Sequence, residues 1–228
     1  MNKIEHYLLQ PILDQEGKFI KVPKYAKNIK IDVGLSHTAV NSILWINNPE
    51  LEDRHIFGFE PQPHLNPYAG VDKSRYTLVK CGLDNIERGI QSSMYICGED
   101  PGRSSLYVPN TFKPIYEQIV FLLPFDMFLS KIDWHRFQYI EHLKTDTQGN
   151  DLRILMSAKE YLQKIVFLEV ESTCYENEYE YYPKKKETQE YLEFMGFELL
   201  EGTNSIDQSY INKRYLRESL KLDNSRVL

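Results

Sequence analysis

Short apolar runs alternate along this chain with segments whose hydrophobic side chains recur at helical spacing. Residues 30–33 read as a short buried strand. Residues 38–46 follow as a helix with Ala39, Ile43, Leu44 and Ile46 on its apolar stripe. Ser36 or His37 is expected at its N-cap, serine being the stronger capping residue. Strands are predicted at 55–59 and 76–80, with a short helix between them. Residues 91–96 and 118–122 form an antiparallel pair around the turn-rich stretch GEDPGRSSLYVPNTF. A short helix begins at 124–129, and residues 137–144 lead into a further strand. Residues 152–156 with 161–162 make a helix over the sheet. Residues 165–170 are almost entirely apolar, as a strand buried on both faces should be. A helix over 188–195 ends at Gly196, and residues 197–200 and 208–211 form a hairpin around GTNS. Alternating strands and helices with a closing hairpin predict an α/β fold. Its sheet is doubly wound and mostly parallel, with an antiparallel edge.

Length and charge narrow the reading. At 228 residues the chain is economically one α/β domain with a full core. Its 27 basic and 33 acidic residues give a net charge of −6, so no global field draws it to nucleic acid. Cys81, Cys97 and Cys174 share no CxxC spacing, which predicts free thiols in a reducing compartment and disfavours zinc. The amino terminus lacks a secretory pattern. The most apolar stretch, 119–129, is broken by Pro124 and Asp126 and is too short to span a bilayer. A cytoplasmic protein is expected.

Carboxylates at strand ends supply the candidate chemistry. Acidic side chains at the carboxyl ends of parallel strands line the crevice where an open α/β sheet binds its ligand. The first such end is Asp32-Val33-Gly34, where the glycine permits a sharp turn and close approach of a ligand to the main chain. Asp32 is suited to a cationic amino group, and free N–H groups at the next helix are suited to a carboxylate. An ordinary strand-to-helix turn is the competing reading. The GxGxxG fingerprint is absent, Ser36 and Thr38 standing where glycines would. Glu60 ends the second strand, where an acidic residue accepts hydrogen bonds from both ribose hydroxyls. Asp146 ends a later strand within KTDTQGND, although Asp146 or Asn150 could simply cap the helix that follows.

These boxes resemble, in order, those of the FkbM family of methyltransferases that use S-adenosylmethionine. KTDTQGND followed by FLEVES is similar to the family's KIDVEGAE and its strand ending in Glu. IDVGLSHTAVNS resembles its DVGANVGxxS loop, FGFEPQP its FEP box, GRSSLY its Ser-Ser-Leu element and PFDMFL its TLDDFL segment. Gln148 and Asp151 stand in place of glutamates, and Thr38 replaces the later glycine of the first loop. The resemblance implies a Rossmann-like class I methyltransferase fold, with a seven-stranded, mostly parallel sheet and an antiparallel C-terminal hairpin.

By that resemblance the cofactor is S-adenosylmethionine, lying across Asp32, Gly34, Ser36, Glu60 and Pro61, with adenine near Gly82, Leu83 and Asp84. The expected reaction is O-methylation of a sugar in a glycan or glycosylated metabolite. Asp146, Glu169, Glu171 and His37 are candidate bases, Asp146 foremost, with Glu169 orienting it or binding a second hydroxyl. Two facing carboxylates would raise one pKa, and the same group has the hard oxygens a divalent metal takes, a question the sequence leaves open. Substrate contacts are expected from Glu171, Ser105 and Tyr175, the last in the tyrosine-rich stretch YENEYEYYPKKKE. Tyrosines suit the mixed C–H and O–H surface of a sugar, while a solvated loop is the plainer reading. The methyltransferase domain spans 29–215. The 1–28 segment and the 216–228 tail lie outside it as candidate covers or homodimer contacts. Two other functions compete, a nicotinamide-dependent oxidoreductase and a catalytically inactive nucleoside-binding module.

Overall fold

A computed structural model describes residues 1–98, 100–172, 178–181, 183–200 and 206–215. Ten strands and five α-helices succeed one another among these residues. They are α1 (Lys3–Leu9), β1 (Asn28–Val33), α2 (Val40–Asn47), β2 (Arg54–Phe59), β3 (Tyr76–Val79), β4 (Gly82–Asp84), β5 (Ile90–Ile96) and β6 (Tyr116–Pro124). The chain continues with α3 (Phe125–Leu129), β7 (Ile140–Thr145), α4 (Asp151–Ser157), β8 (Ile165–Glu171), α5 (Lys185–Phe194), β9 (Phe197–Leu199) and β10 (Asp207–Asn212).

Seven strands form the main sheet in the order β3-β2-β1-β7-β8-β10-β9. Its first five run parallel, whereas β10 is antiparallel to both β8 and β9. A small second sheet has the order β4-β6-β5, with β6 parallel to β4 and antiparallel to β5. The chain leaves β1 for β2 on one side and returns by β7 on the other. Loops after β1 and β7 therefore part at a topological switch point and leave a crevice between them.

Alternation along the strands gives the sheet two unlike faces. Ile29, Ile31, Val33, Phe57, Phe59, Leu143, Leu168 and Val170 belong to the main core, where Phe57 and Phe59 meet Phe128 edge to face. Lys30, Asp32, His142, Lys144 and Glu169 make the other face polar, with Trp45 of α2 lying against the His142 ring. Residues 165–170 are accordingly not buried on both faces: Phe167 and Glu169, on the polar face, are only half-buried. Partial cover by α2, not strand composition, decides that difference.

The segment before β1 packs into this core through Leu8, Leu9, Leu13 and Ile20. Asn2 and Glu5 cap α1 reciprocally, and buried Glu5 accepts from Gly89 N at 2.8 Å, tying the helix to the small sheet. Between β2 and β3 the described chain makes turns in place of a short helix. Helix α2 starts at Val40, with Ala39 at its N-cap in the left-handed region at φ 44°, not Ser36 or His37. Its side-chain cap comes from elsewhere in the chain. Gly196 does end α5, at φ 87°. The GTNS turn and the 216–228 tail fall outside the described residues.

Candidate active site

The switch-point crevice is built where β1 and β7 end side by side. Asp146 N donates to Val33 O at 3.0 Å, which carries the parallel pairing one residue past β7. Gly34 then turns at φ +87°, and a Cβ there would lie 1.9 Å from the Asp146 carbonyl oxygen. Only glycine lets the two strand ends close to this distance. The glycine predicted to admit a ligand thus also seats the end of β7 against β1.

Asp32 faces the helix side of this junction. Its Oδ2 accepts from Ser42 N at 3.0 Å and from Ser42 Oγ at 2.6 Å, satisfying an N-terminal donor of α2 that Ala39 has no side-chain oxygen to reach. Tyr68 donates to the same hydroxyl at 2.8 Å. Burial pushes the Asp32 carboxyl up to about 6, against the opposing pull of Ser42 and Lys144. Asp32 therefore forms a wall of the crevice while being committed to the helix.

Glu60 lies on the other side of Gly34. It is 2 % exposed, and its Oε1 accepts from Gln62 N at 3.0 Å. Burial pushes its carboxyl up to about 7, opposed by hydrogen bonds from the Gln62 and Ser36 backbones and by the Lys80 charge. The cleft it borders is shallow, with a cavity volume of about 50 Å³, and opens to solvent. Pro61, Leu83, Met94 and Leu106 supply apolar walls, and Gly34, Ser36, Asp146, Thr147 and Gln148 supply the polar edge. The Thr147 hydroxyl is buried and directed at the Asp151 carboxyl. A second, contiguous recess joins Asp32 and Lys144 to the same Gly34, Ser36 and Asp146. Asp146 borders both recesses, Glu60 only the first and Asp32 only the second.

Asp146 anchors a group of carboxyls at the end of β7. Lys144 pairs with Glu169, so the next pair along the same face sets Asp146 beside Glu171. The carboxylate predicted to face Asp146 was Glu169; strand register gives that place to Glu171. Burial, then the charges of Asp146 and Asp151, push Glu171 up to about 10, and it is hydrogen-bonded to Asp146. Gln148, at φ 57°, ties the pair together: its Nε2 donates to Asp146 Oδ1 at 3.2 Å and to Glu171 Oε1 at 2.9 Å. The Tyr179 hydroxyl oxygen lies 3.1 Å from Gln148 Oε1. A glutamate at 148 could not make these two donations. Buried Asp151 accepts from Thr147 N at 3.2 Å and is pushed up to about 7 by burial and by Asp146. Asn150 makes no side-chain cap for α4; its amide donates to Leu83 O at 2.8 Å instead.

Beneath this group sits Lys144, which motif reading passes over. It is buried, with Nζ 3.4 Å from Asp146, 3.6 Å from Glu169 and 3.6 Å from Asp207. Burial works to discharge it, yet Asp146, Asp207, Glu169 and Asp32 together hold its pKa above the ordinary lysine value. A lysine at an inward position of a buried strand was the available signal. Glu169 also lies 3.7 Å from His142 Nε2, but this is no ion pair: burial, Lys30 and Lys144 push His142 down to about 3.

Other predicted residues are placed as follows. His37 is exposed and lines neither recess, its Nδ1 3.1 Å from Ser36 Oγ. Asp84 does not line the Glu60 cleft; it accepts from Arg153 Nε at 2.7 Å in a neighbouring one, while Gly82 and Leu83 do line it. Ser105 is buried, its hydroxyl donating to Gln148 O at 2.7 Å, so it holds the Asp146 loop and does not reach outward. Tyr175 and Cys174 lie outside the described residues. Cys81 and Cys97 are free thiols, both buried. Among the described residues, no group of three or more His, Cys, Asp or Glu is arranged to hold a metal ion. No helix among them is long and apolar enough to cross a membrane.

A mostly parallel sheet with an acidic cleft at its switch point defines a Rossmann-like α/β protein, a class that receives nucleoside-bearing cofactors at this place. The family follows from comparison of sequences. A family model described as Methyltransferase FkbM domain matches residues 32–199, and the chain belongs to that family. Membership supports a methyltransferase activity. No curated protein and no solved structure matches the chain.

Proposed function

We propose that the protein is an S-adenosylmethionine-dependent O-methyltransferase acting on a sugar hydroxyl of a glycan or glycosylated metabolite. The carrying observation is the meeting of Glu60, Gly34, Thr147 and Asp146 in one cleft. The donor set fits the cofactor. Glu60 has acceptor oxygens for the ribose hydroxyls, and Pro61, Leu83 and Met94 suit a purine face. When bound, the cofactor supplies a methyl carbon activated by its positively charged sulfur.

The chain's own residues have two tasks. Holding the acceptor oxygen in line with the methyl carbon contributes up to ~7–11 kcal/mol of the barrier. Taking the hydroxyl proton adds roughly 10²–10⁴-fold. Asp146 is the proposed base because its carboxyl borders both recesses and is held by Gln148 and Lys144. His37, exposed and engaged by Ser36, is less well held. Glu171, kept protonated, is suited to donating toward Asp146 or a substrate oxygen, and Glu169 acts through Lys144. The buried free thiols suit a reducing compartment such as the cytoplasm.

Thermal-shift measurement tests the cofactor: S-adenosylhomocysteine should raise the melting temperature and NAD(H) should not. The reverse outcome would restore the oxidoreductase. Asp146→Asn should keep S-adenosylhomocysteine affinity within about threefold while losing methyl transfer to a glycan acceptor by roughly 10²-fold or more. Full turnover in that variant would remove Asp146 as the base. Cofactor binding without transfer in the unaltered protein would favour the inactive binding module.

A further inference from the structure

A second cleft lies across β4 from the first. Gly82 and Leu83 face the Glu60 cleft, whereas Asp84 faces this other one, and Leu106 borders both. Its cavity volume is about 350 Å³, and it opens to solvent. Nothing in the proposed transfer uses it. Tyr181 is the link to the tyrosine-rich stretch. Tyr179 from that stretch turns inward, donating to Arg103 O at 2.7 Å, and Tyr181, half exposed, stands on the wall of the cleft.

The chemistry of the walls is specific. Tyr181 and Tyr107 have ring centroids 5.3 Å apart and planes inclined at 52°. Rings in contact at that angle leave no slot for a flat base between them; they make one bent apolar wall. Tyr107 OH donates to Asn150 Oδ1 at 2.8 Å, and Arg153 Nε donates to Asp84 Oδ1 at 2.7 Å. Arg153 and Asp84 offset each other's charge, so the cleft has no net pull on an anion. It does keep guanidinium donors, carboxylate acceptors and aromatic C–H surface in one concavity. A saccharide ring offers the matching set, with C–H groups on one face and hydroxyls that both donate and accept around its edge.

We propose that this cleft binds a neutral saccharide unit, one belonging to the acceptor but distinct from the unit that carries the reacting hydroxyl. The wall formed by β4 and Leu106 separates the cleft from Asp146, so a unit seated here lies at a distance from the methylated one. The tie to methyl transfer rests on the function proposed above; the binding itself does not.

Saturation-transfer NMR on the full chain tests this with maltotriose, mannotriose, triacetylchitotriose and tri-galacturonate as probes. At least one neutral trisaccharide should receive transfer. Tyr181→Ala should weaken it about tenfold or more, and Tyr181→Phe, which keeps the ring, should not. Saturating S-adenosylhomocysteine should leave the signal in place. Absence of transfer to all three neutral sugars, an unchanged signal in Tyr181→Ala, or tighter binding of tri-galacturonate would overturn the assignment. Displacement by S-adenosylhomocysteine would overturn it too, by making the cleft part of the cofactor site. Failure of the methyltransferase reading appears separately, as no thermal stabilisation by S-adenosylhomocysteine.

Discussion

Burial of Glu60 sets stability against binding, and Glu60→Gln separates the two. The carboxyl titrates near 4.5 in an unfolded chain and is pushed up to about 7 in the folded protein, chiefly by burial. Below the lower value both states carry the proton, and the group takes nothing from stability. As pH rises through the folded value the folded state must ionise a desolvated carboxyl, and stability is lost. Integrating between those two values gives a loss of about 1 kcal/mol near pH 5 and about 3 kcal/mol near pH 8, a difference of roughly 2–3 kcal/mol. Glutamine keeps the shape and the acceptor oxygen that Gln62 N reaches, without the charge. The variant should therefore gain roughly 2–3 kcal/mol over the unaltered protein on going from pH 5 to pH 8. Urea unfolding of both proteins at the two pH values reads this double difference, in which constant packing effects cancel. S-Adenosylhomocysteine affinity at pH 8 should meanwhile fall at least tenfold, because charge-assisted bonds to the ribose hydroxyls are lost. A double difference near zero would mean that Glu60 is not desolvated as described. Unchanged affinity would remove it from the cofactor site.

Two other substitutions probe the junction of β1 and β7. Gly34→Ala places a Cβ 1.9 Å from the Asp146 carbonyl and asks alanine to hold φ +87°. It should cost more than ~2 kcal/mol by urea unfolding and abolish stabilisation by S-adenosylhomocysteine, and a variant that binds normally would contradict the close approach. Lys144→Met leaves Asp146, Glu169 and Asp207 without their shared cation. Calorimetry should show a loss of roughly 2–3 kcal/mol near neutral pH, below the value for a fully buried pair because the carboxyls are partly exposed, with partial recovery at acid pH. Equal losses at both pH values would point to packing alone.

Much of this protein is written locally. Apolar runs fixed the strands, Gly196 fixed the end of α5, and the closing hairpin announced the antiparallel edge, because periodicity and turn chemistry depend on near neighbours. The same locality brought Asp32, Gly34, Glu60 and Asp146 into view, each being the last residues of a predicted strand. What those side chains touch was decided at long range. Register chose Glu171 over Glu169 as the neighbour of Asp146, since a shift of two residues along β8 moves a carboxyl about one side-chain repeat up the same face. Asp32 became the cap of α2 because Ala39 cannot be one. Asp84 was drawn to Arg153, distant in sequence, and the tyrosine stretch divided between an inward Tyr179 and a cleft-lining Tyr181. Sequence by itself determined which residues reach the ends of the strands. Only tertiary structure decided which of them meet, because burial and electrostatic pairing depend on neighbours that the linear chain does not place side by side.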